Sequence, residues 1–169
     1  EEVFYYITLL NENYPQPALR ADAREGVLKG LYRYCGAADA TVQLLGSGAI
    51  LNEALQAREG LREHYGIEAA VWSATSYKQL YTDACRTERW NRLHPGEPPQ
   101  TPYVLQCLGA TAGPVVAASD YVRALPGAWV AGWAHGWCFS ARMASVGAMA
   151  ALPCAGFSAS MPPASPMPP

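Results

Sequence analysis

The last third of the chain is almost free of charge. All fourteen acidic residues lie at or before Asp120, and beyond it only Arg123 and Arg142 are charged. Charged residues make up 15% of the whole chain, below the usual quarter, and the net charge is -2. The clustered lysine and arginine that nucleic acids and anionic membranes require are missing, so we expect neither partner.

Long apolar runs and paired cysteine motifs are also absent. No stretch reaches the roughly 18 apolar residues of a membrane span, and the start, EEVFYYITLL, has acid where a signal peptide needs base. These absences favour a cytoplasmic protein. The five cysteines have neither CxxC spacing nor histidines at zinc-ligand intervals, so we predict buried thiols and no metal site. They are Cys35, Cys85, Cys107, Cys138 and Cys154.

Methionine is missing until Met143. Translation cannot have started near residue 1 of this sequence. We therefore expect either a leader removed by processing or a piece of a longer chain.

Residues 41–125 carry a regular alternation of strand and helix signals. TVQLLGSG is an apolar strand ending in a glycine turn, and residues 49–65 place apolar side chains at helical spacing, with Gly66 as a C-terminal cap. IEAAVWSATS and GPVVAASDYV predict two further strands, and YKQLYTDACRTERWNRLHP and YVLQCLG predict helices between them. This order predicts an α/β domain with an open parallel sheet and right-handed crossovers.

The segments on either side fit this domain less well. VFYYITLL, residues 3–10, predicts a mostly buried strand whose partners we expect upstream. Residues 21–39 combine a short helical turn with an extended piece, so we interpret residues 1–40 as the last strand of a preceding domain and a linker. Residues 126–169 have neither strand alternation nor an amphipathic face, which predicts irregular structure.

Six segments of the chain, taken in order, resemble one family. They are EEVFYYITLLNENYPQPA, VQLLGSGAIL, VWSATSY, CRTERWNRLHP, PYVLQCL and GPVVAASDYVRA. They are similar to the C-terminal third of homodimeric bacterial pyruvate dehydrogenase E1 components, and ERWNRLHP and YYITLLNENYP are the most specific motifs. The resemblance runs from Glu1 to about Leu125. It implies a truncated transketolase C-terminal-domain-like sheet, preceded by an orphan strand of the upstream thiamine-diphosphate domain.

The resemblance also implies a function for the intact parent. That enzyme decarboxylates pyruvate with thiamine diphosphate and Mg²⁺ and passes the acetyl group to a lipoyl arm. Its implied partners are a second copy, in a homodimer, and the dihydrolipoyl acetyltransferase. The family's cofactor site lies between upstream domains, so the resemblance implies no catalytic, cofactor-binding or metal-binding residue here. We expect an inactive fragment without a cooperative unfolding transition, because sheet edges and covering layers would be missing.

The tail matches the same family in a shifted reading frame. Methionine is encoded only by ATG, so its last base and the first two bases of the next codon give GGC, a glycine codon, at Met143. With synonymous codons allowed, SARMASVGAMA from Ser140 becomes GTDGFGRSDG, which resembles the family's continuation. We interpret residues 126–169 as out-of-frame translation after one frameshift between about Leu125 and Trp129. Reading the gene's DNA would test this.

The glycine turn GSG, residues 46–48, is the main candidate for a binding site. It could hold a phosphate on helix N-terminal amides, but Leu51 occupies the third small position of a dinucleotide fingerprint. A structural turn is the favoured interpretation. The alternative function for the chain is a non-enzymatic phosphate- or nucleotide-binding α/β module, which such ligands would stabilise.

Other candidate residues have structural interpretations. His94, near Arg89 and Arg92, is expected to fix a loop, with anion contact as the alternative. His64 suits a helix C-terminus, and His135 carries no weight because it falls in the tail. We expect solubility or capping roles for three carboxylates and core or domain-interface positions for two tryptophans; they are Asp83, Glu88, Asp120, Trp72 and Trp90.

Overall fold

The computed structural model describes residues 2–7, 11, 13–16, 18–37, 39–111 and 113–120, and the backbone of residues 137–143 and 147–153. A 3₁₀ turn at Ala21–Ala23 precedes the first helix. The helices are α1 (Arg24–Lys29), α2 (Ile50–Tyr65), α3 (Tyr77–Leu93) and α4 (Tyr103–Leu108). The strands are β1 (Leu31–Cys35), β2 (Val42–Gly46), β3 (Ala69–Ala74), β4 (Val115–Ser119), β5 (Trp137–Met143) and β6 (Gly147–Pro153).

The strands form one sheet in the order β1-β3-β2-β4-β6-β5. β2 lies in the middle and is parallel to β3 on one side and to β4 on the other. The predicted order of strand, helix, strand, helix and strand is confirmed, and the three strands of that order, β2, β3 and β4, are parallel. The whole sheet is mixed, because its other three pairings are antiparallel. The short helix α4, which the segment YVLQCLG predicts, is also present between α3 and β4.

The sheet is covered on both faces, which explains why its central strands read as continuous apolar runs. One core joins the strands to α2 and contains Leu44, Leu51, Ala54, Ala69 and Val71. The other joins them to α3 and α4, and its largest members are Leu31, Leu45, Trp72, Tyr77, Leu80, Val104, Leu108 and Val115. Successive residues of β3 alternate between the two cores, as side chains of a strand must.

Both long helices have capped ends. α2 ends as predicted at Gly66, whose φ of 63° is left-handed and whose N–H donates to the carbonyl of Arg62 at 3.1 Å. α3 begins after Ser76, whose Oγ accepts the N–H of Gln79 at 3.1 Å. Within the described residues, neither these helices nor the shorter ones are long and apolar enough to cross a membrane.

The prediction that the residues before 41 form a linker is wrong for β1, which is a strand of the sheet. This strand pairs antiparallel with β3, from Leu31 opposite Ala74 to Cys35 opposite Val71, and Leu31 is 0% exposed. Gly30 ends α1 in the left-handed region at φ 98°, so a short helix can turn directly into the strand. The sequence shows the helical turn and the extended piece but not this pairing, because β1 and β3 are far apart along the chain.

The strand predicted for residues 3–10, with partners expected upstream, is not formed among the described residues and stays a prediction. Residues 2–7 have no regular secondary structure, and residues 8–10 lie outside the described part of the chain. Phe4 and Tyr6 are 97% and 93% exposed. A strand requires a neighbour for its backbone hydrogen bonds, and residues 2–7 have none among the described residues.

The irregular structure predicted for residues 126–169 is wrong at β5 and β6. These strands form an antiparallel hairpin that pairs with β4 through β6. The free edge of β4 offers N–H and carbonyl groups to any extended backbone, and this pairing does not require an alternating sequence. The rest of the tail, including His135, lies outside the described residues.

Candidate functional site

The glycine turn after β2 is a structural turn. The first three N–H groups of the following segment donate to carbonyls three residues back: Ile50 to Ser47 at 3.3 Å, Leu51 to Gly48 at 3.2 Å and Asn52 to Ala49 at 3.0 Å. A phosphate would need these donors. A Cβ at Gly46 would lie 2.6 Å from the Cα of Leu51, so the glycine allows α2 to pack directly on the strand end. The favoured interpretation of the turn is therefore supported.

A cavity of about 490 Å³ lies beside this turn, at the carboxyl ends of β2 and β3. The loops after both strands line it, together with Tyr14 and Gln16 from the N-terminal segment. The Nδ2 of Asn52 donates to the carbonyl of Pro15 at 3.2 Å and ties that segment to α2. Lys78 supplies the cavity's cationic side chain. The geometry suits a small polar molecule, but it brings no nucleophile and base together.

The polar groups at the start of α3 are mostly engaged in hydrogen bonds. Thr75 donates its hydroxyl to the carbonyl of Val27 at 2.9 Å, and Ser76 caps the helix. The Tyr77 hydroxyl is buried without a hydrogen-bond partner among the described residues. Burial raises the pKa of Tyr77, so the phenol stays neutral and cannot act as a base near pH 7.

A second cavity, of about 370 Å³, lies next to β1 and α1. Lys29 forms an ion pair with Glu25 at 2.7 Å, and its Nζ lies 4.8 Å from the centre of the Tyr103 ring. Arg20 binds Asp22 through two nitrogens, at 3.0 and 2.7 Å. Hydrogen bonds from these cations lower the pKa of Asp22 and of Glu25. Both carboxylates are therefore charged and paired, and neither is poised for acid–base work.

The three cysteines that the structure describes are free, but the prediction that they are buried is wrong for Cys85. That residue is exposed on α3, whereas Cys35 and Cys107 are half-buried and pack against the two cores. Burial raises the pKa of the Cys107 thiol, which keeps it protonated and unreactive. In the described part of the chain, no group of three or more histidine, cysteine or acidic side chains could hold a metal ion. The side chains of Cys138 and Cys154 lie outside that part.

His94 fixes the loop after α3. Its Nδ1 lies 2.8 Å from the Trp90 carbonyl, and its ring stacks on the Trp90 ring at 4.5 Å. Asn91 holds the other end of the loop through two hydrogen bonds with the backbone of Gln100, at 2.9 and 2.7 Å. This geometry supports the loop-fixing role. Arg89 and Arg92 are exposed on the last turns of the helix.

The candidate carboxylates are scattered and do not form a site. Asp83 accepts the N–H of Tyr103 through Oδ2 at 2.7 Å, so it caps the start of α4 from 20 residues away. Glu88 is exposed on α3, and Asp120 is exposed just after β4. Sequence reasoning missed the Asp83 cap because its partner is distant along the chain. His64 lies in the last turn of α2, as predicted.

A buried polar pair connects β2 and β3. The Trp72 Nε1 donates to Oε1 of Gln43 at 2.7 Å, and the Gln43 Nε2 donates to the carbonyl of Ala40 at 2.8 Å. Gln43 is 0% exposed and Trp72 is 7% exposed, which confirms the core position predicted for the tryptophan. The signal for Gln43 is an amide inside the apolar run TVQLLG, but its partner cannot be read from the sequence.

Comparison with known proteins identifies the family of this sheet. The family model described as "Transketolase-like TK C-terminal domain" matches residues 30–148. The match begins next to β1, consistent with its place in the sheet, and it continues past Leu125, where the resemblance in the sequence was expected to stop.

Pyruvate dehydrogenase E1 components are similar to this chain over most of its length. The one from Pseudomonas aeruginosa is 49% identical over 126 residues, and the one from Escherichia coli K12 is 45% identical over 125. The one from Mycolicibacterium smegmatis is 42% identical over 130 residues. These matches cover 73–75% of this chain but 14% of each relative. From its mixed α/β sheet and the extent of the family match, the chain belongs to the family of transketolase-like C-terminal domains.

Proposed function

We propose that this chain is part of a pyruvate dehydrogenase E1 component and lacks activity when isolated. The observation that carries the proposal is the 49% identity to a protein of that name over three quarters of this chain. The chain spans about one seventh of the curated relatives it matches. In the intact parent, the reaction is the oxidative decarboxylation of pyruvate with acetyl transfer to a lipoyl group.

The described residues do not fit thiamine diphosphate and Mg²⁺. They contain no cluster of carboxylates or other ligands for the metal ion, and the first three helical amides after the glycine turn already donate to carbonyls. We assign this cofactor to upstream domains of the parent. No step of the reaction is therefore assigned to a residue of this chain, whose part is to build the domain beside the active site.

The partners and compartment of the parent follow from the same proposal. A homodimer, contact with a dihydrolipoyl acetyltransferase and a cytoplasmic location are the family's features. The exposed residues Val3, Phe4, Tyr5, Tyr6 and Ile7 support contact with further parts of the parent, because they present a continuous apolar segment to solvent. In this proposal, that segment is a strand of the preceding domain.

A chimera tests the proposal. Residues 1–120 of this chain would replace the matching region of the Pseudomonas aeruginosa E1 component, which keeps its own C-terminal residues. With thiamine diphosphate and Mg²⁺, we expect pyruvate-dependent reduction of an electron acceptor within about tenfold of the unaltered enzyme, since the exchanged part holds no catalytic group.

Two controls make this result interpretable. A Pseudomonas aeruginosa E1 component from which the matching region is deleted gives the background rate of acceptor reduction. The isolated chain is expected to show only this background rate. A soluble, dimeric chimera that is inactive would contradict the proposal, because it would show that these residues cannot support the enzyme. Pyruvate turnover by the isolated chain would contradict the part concerning its own inactivity.

The origin of the tail is a separate proposal. We infer that residues 126–169 are read out of frame, which the codon analysis supports. Sequencing the gene across the codons for Leu125 to Trp129 tests it. We expect a one-base correction that restores GTDGFGRSD. Codons in which no such correction restores that sequence would contradict the proposal. The alternative of a phosphate-binding module gains no support, since the first three N–H groups of α2 are occupied.

A further inference from the structure

The hairpin in the tail occupies a defined place in the sheet. β6 pairs with β4 over five positions, from Val115 opposite Ala151 to Ser119 opposite Gly147. β5 then pairs with β6 over seven positions, from Trp137 opposite Pro153 to Met143 opposite Gly147. β4 is therefore an interior strand, although it is the last strand that the sequence pattern predicts.

The backbone donors of β4 are divided between its two neighbours. The N–H of Gln43 in β2 donates to the carbonyl of Pro114 at 2.9 Å, so residues 114, 116 and 118 direct their backbone groups toward β2. Because the direction alternates along a strand, the N–H groups of Val115, Ala117 and Ser119 face β6. Without the hairpin, these groups would form an open row at the edge.

The sequence of β4 offers no protection for such an edge. VVAAS is apolar or neutral at every position and contains neither charge nor proline. Edges of this kind recruit strands from other molecules, and natural sheets block them with charged residues or proline. The hairpin carries both kinds of residue, because β5 contains Arg142 and β6 ends at Pro153.

We propose that β5 and β6 act as an edge cap, which occupies the β4 edge and prevents the sheet from adding a strand of a second molecule. The cap works through backbone pairing, so it needs no family sequence in the tail. It goes beyond the proposed E1 function and does not depend on it. The backbone groups on this edge of β4 therefore pair within the chain and are not available to a second molecule.

Hydrogen exchange of single amides in the full chain tests the cap. Met149 lies opposite Ala117, so Met149→Pro removes a donor that faces β4. We expect the amides of Val115, Ala117 and Ser119 to exchange at least about tenfold faster in this variant. The amides of Val116 and Ala118, which face β2, should change by less than about twofold.

The matched control is Met161→Pro, the same substitution beyond the hairpin, which should leave all five amides unchanged. Sedimentation at increasing protein concentration should show self-association for Met149→Pro and not for the control. Unchanged exchange, or an equal loss of protection on both sides of β4, would overturn the proposal.

A measurement on the unaltered chain covers the case in which the variant does not fold. The cap requires Val115, Ala117 and Ser119 to be protected to within about tenfold of Val116 and Ala118. If the first three amides exchange at the rates of an unstructured peptide while the other two are protected, the edge is open and the proposal fails.

Discussion

β3 and residues 2–7 both have compositions typical of strands, but their surroundings are opposite. All six residues of β3 are buried, and the strand lies between β1 and β2 with a core on each face. Phe4 and Tyr6, in a segment that is also rich in apolar and aromatic residues, are almost fully exposed. Strand composition describes how well a segment fits a half-buried or buried surface, and the neighbours decide whether that surface exists. Under the proposed function, the neighbours of residues 2–7 belong to the rest of the E1 protein.

Replacement of an aromatic residue in each region should give the largest contrast. Trp72→Ala empties a site in the core and leaves the Gln43 amide without its partner, so we expect a loss of about 3–5 kcal/mol in the free energy of unfolding. Phe4→Ala should change it by less than about 0.5 kcal/mol. Urea unfolding followed by circular dichroism measures both. Equal effects would mean that residues 2–7 are packed in solution, against the exposure described above.

Two glycines extend the contrast to the backbone. A Cβ at Gly46 meets backbone atoms of Leu51, whereas nothing lies within 4 Å of a Cβ at Gly60 in α2. We expect Gly46→Ala to destabilise the chain by about 3 kcal/mol, since backbone atoms cannot yield as a side chain can. Gly60→Ala is the matched control and should stabilise it by about 0.4–1 kcal/mol. A tolerated Gly46→Ala would contradict the close packing of α2 on β2.

The polar pair inside the sheet gives a smaller effect. Gln43→Leu keeps most of the side-chain volume but leaves the Trp72 Nε1 and the Ala40 carbonyl without partners, so we expect a loss of about 2 kcal/mol. Trp72→Phe removes the donor instead, and the double variant tests the coupling. Losses that simply add in a double-mutant cycle would show that the Gln43–Trp72 bond contributes nothing of its own.

The smallest effect is expected at the exposed ion pair of α1. Lys29 lowers the pKa of Glu25 by a hydrogen bond, so the folded pKa lies below the unfolded one. The resulting stability is present above the ordinary glutamate range, about pH 4.3, and is lost as the pH falls through the folded pKa. Lys29→Met should flatten this acid dependence slightly at low salt. Lys78→Met is the control, and an equal change in both variants would contradict the assignment.

The parallel part of the fold could be predicted because its signals are local. β2, α2 and β3 each show a strand run or helical spacing within a few residues, and Gly66 marks the helix end. Burial on both faces made the strands continuous in apolar residues, which strengthened the prediction. The interpretation of GSG as a structural turn could be reached for the same reason, since Leu51 breaks the fingerprint within the motif itself.

The features that were missed depend on contacts between distant segments. β1 joins the sheet by pairing with a strand about 40 residues later, and Asp83 caps a helix that begins 20 residues away. The partner of Gln43 is Trp72, 29 residues along the chain. The hairpin was missed for a different reason: its ladder depends on the free edge of β4 and not on its own side-chain pattern.

The alternation of β3 between the two cores has a consequence for how the molecule melts. Ala69 and Val71 belong to the core beside α2, and Ala70 and Trp72 belong to the core beside α3 and α4. The strand thus contributes side chains to both cores, so we expect the loss of packing in one core to destabilise the other. Both faces are covered and β4 has a partner on each side, which argues for a cooperative transition where the sequence predicted none. We expect a single melting transition whose calorimetric and van't Hoff enthalpies agree.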